Sequence, residues 1–396
     1  MHLPDRLAKV QDSIRHMASS PKEKVTVRPK LSAWFPNTES PVIISAPMLG
    51  VSNGTLAANV SKAGGFGMVP GGFDFSPSST QLTTLGKELA VARQLLDLAD
   101  RPLTPIPVGV GFILCHPSIS QFEKTALPLL QEHSPQAVWL FAPPPPPNSP
   151  NPDAATHPAY SIPQGVVKDI IEMLHRSGFV VMFQVGTVAA ARQAVNDGAD
   201  IIVAQGVDAG GHQYASGSGV ISLVPEIETM LETEFAERAG EVVVVAAGGI
   251  VDGRGVAAAL ALGAEGAVMG TRFIPSPESS MPEFKKQMII NTNDGGVNTA
   301  KSTFHDEIQG TTFWPTFYDG RAIITDSYRD HSTGLSLEEN RQKFKEAQEK
   351  GETGRVVTWA GTGVGLVKDS KPAGDIVREA REISKQRIKA LQQSIV

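Results

Sequence analysis

Short apolar segments alternate with helical stretches between residues 42 and 274, and this alternation limits the possible folds more than any other feature of the chain. Strands that alternate with helices pair in parallel, because each helix carries the chain back across the sheet. The predicted strands are residues 42–46, 66–69, 107–113, 137–141, 179–184, 200–204, 242–246 and 266–269. Eight such units predict an α/β fold, the closed (β/α)8 TIM barrel, with an inserted helical subdomain.

The remaining segments are assigned around this barrel. Residues 1–40 are predicted to be an N-terminal extension, 41–275 the barrel, 276–350 the inserted helical subdomain, and 351–396 a return segment whose helix completes the barrel domain. Helix-prone stretches at 281–290 and 337–350 indicate the insert. The proline-rich stretch 143–163 is too long for an ordinary loop, so it forms either a wall of the site or a surface excursion.

Composition favours small-molecule chemistry. The formal net charge of −6 and the pI near 5.9 give no broad basic surface, which argues against nucleic acid and anionic membranes as partners. The single cysteine, Cys115, excludes an internal disulfide framework, and no metal site is predicted. No apolar run reaches the roughly eighteen residues of a membrane span. A cytoplasmic location is therefore expected, while the oligomeric state stays open.

A glycine-rich loop follows the sixth predicted strand and ends in a histidine. The loop reads Gln205-Gly-Val-Asp-Ala-Gly-Gly-His, so that Gly210 and Gly211 directly precede His212. Glycine allows the backbone to approach a ligand closely, and imidazole moves protons near neutral pH. His212 is therefore the candidate catalytic base, and the alternative is a histidine that only completes a loop. His116, after the third strand, is a second candidate base.

The seventh and eighth predicted strands end in glycine-rich loops. In many barrels these two loops, with the amino end of a short helix, bind a phosphate group through backbone N–H groups. Gly248, Gly249 and Gly270 would let the amides converge on the anion, and Thr271 would add a hydroxyl donor. This order of loops predicts a phosphate site. The run Gly361-Thr-Gly-Val-Gly is an incomplete dinucleotide fingerprint and is given little weight.

Three further side chains suit a flat heteroaromatic ligand. Met48 lies after the first strand, where a polarizable thioether can contact an aromatic ring. Gln184 and Gln205 end the fifth and sixth strands, and their amides offer both donors and acceptors. Core packing for the methionine and turn or cap roles for the glutamines remain the alternatives.

Four ordered motifs resemble the nitronate monooxygenase family, once called 2-nitropropane dioxygenase. They are Ala46-Pro-Met with Ser61-Lys-Ala-Gly-Gly-Phe-Gly, the loop that ends in His212, Ala247-Gly-Gly-Ile-Val-Asp-Gly-Arg-Gly, and Gly270-Thr-Arg-Phe. The resemblance covers about residues 40 to 275, with a weaker similarity at 359–365. The chain departs from it at Val108-Gly-Val-Gly, where many relatives carry asparagine, and at Trp359-Ala-Gly-Thr, where glutamine is usual in place of threonine.

The resemblance implies an FMN-binding barrel that oxidises alkyl nitronates with dioxygen to a carbonyl compound and nitrite, with nitroalkanes as a second candidate substrate class. His212 matches the base of the family. The cofactor-binding residues predicted from the motifs and the resemblance together are Ala46, Pro47, Met48, Gln184, Gln205, Gly210, Gly211, Gly248, Gly249, Val268, Met269, Gly270 and Thr271. Two alternatives are kept: an NAD(P)H-dependent flavin reductase of enoyl thioesters or quinones, and a flavin-free barrel that binds a phosphorylated metabolite.

Overall fold

The computed structural model describes residues 30–146, 153, 156–238, 240–311 and 313–395. Most of the predicted N-terminal extension, residues 1–29, lies outside the described residues, and so do residues 147–152, 154 and 155 of the proline-rich stretch. Within the described ranges, no helix combines the length and the apolarity needed to cross a membrane.

Eight parallel strands form the barrel, in the order β1-β9-β8-β6-β5-β4-β3-β2. A single parallel bridge between Ile44 of β1 and Phe66, the residue before β2, joins the two ends of this order and closes the barrel. The predicted TIM barrel is confirmed. The strands are β1 Val42–Ser45, β2 Gly67–Gly72, β3 Ile106–Ile113, β4 Pro135–Phe141, β5 Val180–Val185, β6 Ile201–Gln205, β7 Gly211–Tyr214, β8 Val243–Ala247, β9 Gly266–Met269, β10 Thr299–Ser302 and β11 Tyr318–Ile323.

The second strand extends beyond its predicted end at residue 69. It continues through Pro70 to Gly72, residues that resemble a turn in the sequence. Proline is tolerated at a strand edge, because no neighbouring strand there needs a hydrogen bond from its missing N–H. The seam between β1 and β2 is such an edge, because these strands share only the bridge at Phe66.

Helices cover the outside of the barrel, and α9 to α13 belong to the insert. They are α1 Lys30–Trp34, α2 Gly54–Lys62, α3 Thr80–Leu95, α4 Phe122–His133, α5 Val166–Arg176, α6 Val188–Asp197, α7 Val220–Glu234, α8 Gly253–Ala261, α9 Glu283–Asn291, α10 Gly295–Asn298, α11 Phe304–Gln309, α12 Asp326–Ser332, α13 Leu337–Glu349 and α14 Ala373–Ile395. The last helix, α14, packs between α8 and α2. Its Arg381 donates to the carbonyl oxygens of Ala63 and Gly64, at 3.0 and 2.7 Å, so it occupies the place of the eighth barrel helix.

The apolar core has two layers, because successive side chains of a strand point to opposite faces. Along β4, Trp139 and Phe141 belong to the cluster inside the barrel. Val138 and Leu140 belong to the cluster between the sheet and the helices. Side chains of the described residues therefore fill the barrel interior.

The segment between β9 and the return segment contains strands as well as helices. Strands β10 and β11 form an antiparallel sheet with β7, in the order β10-β11-β7. The segment predicted as an inserted helical subdomain therefore also contains two strands that the sequence did not predict. Their short and partly polar sequences carry no clear alternation, and β11 is stabilised by pairing with β7, a distant part of the chain. This pairing places the insert over the loop that carries His212.

Candidate functional site

A cavity of about 340 Å³ lies at the carboxyl end of the barrel strands. This volume is in the usual range for cofactor and small-molecule sites. Every residue predicted to bind the cofactor lines the cavity except Met269, and so does His212. The ends of β5, β6 and β9, the strand β7, and the loops after β1, β6, β8 and β9 supply these residues, as expected where the carboxyl ends of parallel strands meet.

Met269 is the one predicted cofactor residue that the structure places elsewhere. Its side chain is fully buried in the layer between the sheet and the helices. The preceding residue, Val268, points into the barrel and lines the cavity. The difference follows from strand alternation, which cannot direct two consecutive side chains to one face.

Small residues bring the backbone close to the ligand side of the cavity. A β-carbon on Gly111 of β3 would lie 2.4 Å from Cγ of Pro47. Glycine is therefore required at residue 111 for the loop after β1 to pack against β3. A β-carbon on Gly270 would lie 3.6 Å from Sδ of Met48, which places the thioether beside the loop after β9.

The loops after β8 and β9 form a cradle suited to an anion. Gly248 and Gly249 have φ angles of +105° and +72°, a region that favours glycine. Within the described chain, the N–H groups of Gly249 and Gly270 donate to no other protein group. Both glycines are partly exposed where they line the cavity, and a phosphate oxygen there would accept from their N–H groups.

The return segment completes this cradle, which the sequence analysis did not predict. Gly361 donates its N–H to Oγ1 of Thr271 at 3.0 Å, leaving the hydroxyl hydrogen of Thr271 available to an anion. A β-carbon on Gly363 would lie 2.7 Å from the carbonyl oxygen of Gly249. The glycines of residues 361–365 therefore allow close packing against the cradle, and their spacing was the available signal.

Four polar groups form a chain of hydrogen bonds across the barrel mouth. The indole N–H of Trp139 donates to Oε1 of Gln184 at 3.0 Å, and Nε2 of Gln184 donates to Oε1 of Gln205 at 2.7 Å. Nε2 of Gln205 then donates to the carbonyl oxygen of His212 at 3.3 Å. Both glutamines line the cavity. The chain fixes their amide orientations and links the barrel interior to the backbone of β7.

His212 is held by residues of the insert. Both carboxylate oxygens of Asp306 lie 2.9 Å from Nε2 of His212. The indole of Trp314 stacks on the imidazole, with ring centroids 3.9 Å apart and an interplanar angle of 11°. Sequence reasoning missed Asp306 and Trp314, because nothing near them in the sequence indicates that α11 and the following loop fold over His212.

His116, the second candidate base, does not line the cavity. Its Nδ1 lies 2.7 Å from Oγ of Ser118 and accepts from the N–H of the same residue, so it caps a short helical turn. Burial lowers the pKa of His116 below its ordinary value. It therefore has the structural role of a cap.

Aromatic and aliphatic side chains cover the cavity. Phe73 and Phe313 stack with their centroids 4.1 Å apart, and the other large apolar lining residues include Phe141, Trp314 and Trp359. No lysine or arginine of the described chain lines the cavity, and its ionisable lining residues are His212 and Asp306. The described residues also contain no cluster of three or more potential metal ligands. The site is thus apolar, with one histidine–carboxylate pair.

These features fit FMN. The unpaired N–H groups of the cradle suit its phosphate, and the apolar volume beside Met48, Gln184 and Gln205 suits its ring. Gly210 lines the same cavity and packs tightly against the return segment, because a β-carbon there would lie 2.4 Å from the Gly361 nitrogen.

The barrel and its site define a class, the (β/α)8 enzymes that act on small molecules bound at the carboxyl ends of their strands. A family model described as nitronate monooxygenase matches residues 155–382, more than half of the chain. The chain belongs to the nitronate monooxygenase family and is an oxidoreductase, which confirms the family predicted from the motifs.

Individual relatives agree with this assignment. A nitronate monooxygenase of Neurospora crassa is 57% identical over 394 residues, which cover 99% of both chains. The solved structure of FabK from Thermotoga maritima has a TM-score of 0.67 at 25% identity and covers 93% of this chain and 100% of its own. A nitroalkane oxidase from Streptomyces ansochromogenes has a TM-score of 0.64 at 23% identity, covers 91% of this chain and 99% of its own, and shows likeness of fold alone.

Proposed function

We propose that this protein binds FMN at the barrel mouth and uses dioxygen to oxidise alkyl nitronates to a carbonyl compound and nitrite. Membership of the nitronate monooxygenase family supports the oxidation of nitronates. The observation that carries the cofactor is the cradle of unpaired N–H groups next to an apolar cavity lined by His212.

The residues of the chain would hold the two ends of FMN differently. The backbone of Gly249 and Gly270 and the hydroxyl of Thr271 bind the phosphate. Met48 and the amides of Gln184 and Gln205 contact the ring. FMN, when bound, supplies the one-electron chemistry that lets a nitronate react with dioxygen.

His212 would act on the nitro end of the substrate. In its protonated form it pairs with the anionic nitronate, and in its neutral form it removes the Cα proton of a nitroalkane. The surrounding aromatic side chains orient the alkyl group and exclude water. Overall, two nitronates react with one dioxygen to give two carbonyl compounds and two nitrite ions: each carbon–nitrogen bond breaks, nitrite leaves with the electron pair, and each oxygen atom of dioxygen becomes a carbonyl oxygen.

An aerobic assay with propyl-2-nitronate tests this function. The FMN-loaded protein should release nitrite and acetone while it consumes dioxygen, and free FMN at the same concentration gives the background rate. Absence of nitrite above that background would overturn the proposal. The His212→Asn variant should lose turnover of the neutral nitroalkane, since it lacks a base.

A further inference from the structure

The pairing of His212 with Asp306 determines which ring nitrogen is left to act as a base. Both carboxylate oxygens of Asp306 lie within hydrogen-bond distance of Nε2. A carboxylate only accepts hydrogen bonds, so Nε2 must carry the hydrogen. In the neutral imidazole, the lone pair is then on Nδ1. No described residue provides a hydrogen-bond partner for Nδ1.

The carboxylate of Asp306 is itself fixed. Its side chain is 9% exposed, and Oδ1 accepts from the hydroxyl of Thr311 at 2.7 Å. Arg341 of α13 donates to the carbonyl oxygen of Glu307, which anchors α11 to the rest of the insert. Asp306 therefore reaches the histidine from a rigid element rather than from a free loop.

The imidazole is also held in its plane and at its backbone. Trp314 stacks on one face of the ring at 3.9 Å. His212 pairs with Gly320 of β11, and its carbonyl oxygen accepts from Gln205. With the ring plane, the backbone and Nε2 all fixed, Nδ1 is the ring position left for chemistry.

We propose that Asp306 is a positioning residue, which holds His212 with its hydrogen on Nε2 so that Nδ1 removes the Cα proton of a neutral nitroalkane. This inference rests on the proposed function. The Cα–H bond breaks, an N–H bond forms at Nδ1, and the electron pair of the broken bond becomes the carbon–nitrogen double bond of the nitronate. The resulting imidazolium is paired with the carboxylate of Asp306, so no further reactant is needed.

The two substrate forms separate this role from a structural one. A nitroalkane needs a base, whereas a preformed nitronate has already lost its proton. Proton transfer by a positioned base contributes about 10²-fold to 10⁴-fold. In Asp306→Asn, the amide NH₂ can face Nε2 and place the hydrogen on Nδ1, the wrong tautomer for this step.

The experiment compares nitroethane with ethylnitronate in the FMN-loaded Asp306→Asn variant. We expect kcat/KM for nitroethane to fall by about 10²-fold. For ethylnitronate, we expect kcat/KM to fall by less than about tenfold. The primary deuterium isotope effect with 1,1-dideuterated nitroethane should increase, because proton transfer becomes slower. Equal losses for both substrates, or no loss for either, would overturn the proposal.

Two controls keep the test decisive. Asp200 forms a similar pair with Nε2 of His175, at 3.0 Å and away from the cavity. Asp200→Asn should therefore leave the ratio of kcat/KM for nitroethane to kcat/KM for ethylnitronate unchanged.

Thr311→Val is the second variant, used if Asp306→Asn fails to retain FMN. It removes the hydroxyl donor to Asp306 and should change the same ratio in the same direction by a smaller factor. An unchanged ratio in Thr311→Val would then reject the role. Failure of the wild type to release nitrite from ethylnitronate would instead reject the proposed function.

Discussion

The α-carbon of Gly210 lies so close to Gly361 that a β-carbon on residue 210 would be 2.4 Å from the Gly361 nitrogen. This contact joins the loop after β6 to the return segment beside the cradle. We expect Gly210→Ala to separate these segments and to weaken FMN binding by at least about tenfold, or about 1.4 kcal/mol. Flavin fluorescence during titration measures the affinity.

Gly165 provides a matched control for that substitution. It precedes α5 with a φ of −76°, and a β-carbon there would meet nothing within 4 Å. Gly165→Ala should therefore bind FMN like the wild type. Wild-type affinity in Gly210→Ala would show that the contact with the return segment does not shape the cofactor site.

The apolar lining predicts discrimination between substrates. A nitronate that also carries a carboxylate would bury that charge in a cavity without a lysine or arginine and beside Asp306. Burying an unpaired charge costs several kcal/mol. We expect kcat/KM for butyl-1-nitronate to exceed that for the nitronate of 3-nitropropionate by at least about tenfold. Steady-state oxygen consumption measures both.

Gln309 offers a way to test the electrostatic cause of that preference. It lines the cavity and donates to the carbonyl oxygen of His305. Gln309→Lys supplies a cation and should lower the ratio of kcat/KM for butyl-1-nitronate to that for the nitronate of 3-nitropropionate. Gln309→Met should leave this ratio unchanged. Equal use of both nitronates by the wild type would contradict the explanation.

His305 predicts a pH dependence of stability. It is 1% exposed and lies 2.9 Å from the carbonyl oxygen of Ala300. Burial lowers its pKa below the ordinary value of 6.5. Below that pH the unfolded chain takes up a proton that the folded chain does not, so this contribution to stability is complete above 6.5 and is lost as the pH falls.

Urea unfolding at pH 7.5 and 5.5 checks this expectation. For one histidine the loss cannot exceed about 1.4 kcal/mol per pH unit. His305→Gln keeps a side-chain donor for Ala300 and should reduce the pH dependence of the free energy of unfolding. The same slope in the wild type and the variant would show that His305 is not its source.

Cys115 should be unreactive in the folded protein. Its side chain is fully buried, and burial raises the pKa of the thiol, so the reactive thiolate is scarce. We expect no labelling by iodoacetamide at pH 8 in native protein and complete labelling in urea. Rapid labelling of the folded protein would show that the region after β3 opens.

The barrel and its cofactor loops could be predicted from the sequence because their signals are local. Apolar segments such as 200–204 indicate burial on both faces of a parallel strand. The glycines at 248 and 249 indicate a backbone with positive φ angles. His212 stands at the end of such a loop. Met269 was predicted because the motif consists of consecutive residues. In a strand, however, successive side chains point to opposite faces, so the side chain of Met269 points away from the cavity that Val268 lines.

The surroundings of His212 could not be predicted in the same way. Asp306 is separated from it by 94 residues, and their contact exists only because β11 pairs with β7. Trp314 and the glycine run at 361–365 likewise reach the site through tertiary packing. Pairing of distant segments leaves no periodic signal in a single sequence.

Anaerobic mixing of the FMN-loaded protein with substrate shows whether the bound flavin reacts with a nitronate or with a nicotinamide. Propyl-2-nitronate, NADH and NADPH are added in separate experiments, and flavin absorbance near 450 nm is followed. We expect the nitronate to change this absorbance within turnover time, and we expect no such change with NADH or NADPH. Rapid bleaching by NADH or NADPH, with no change on addition of the nitronate, would contradict this expectation and favour a flavin reductase.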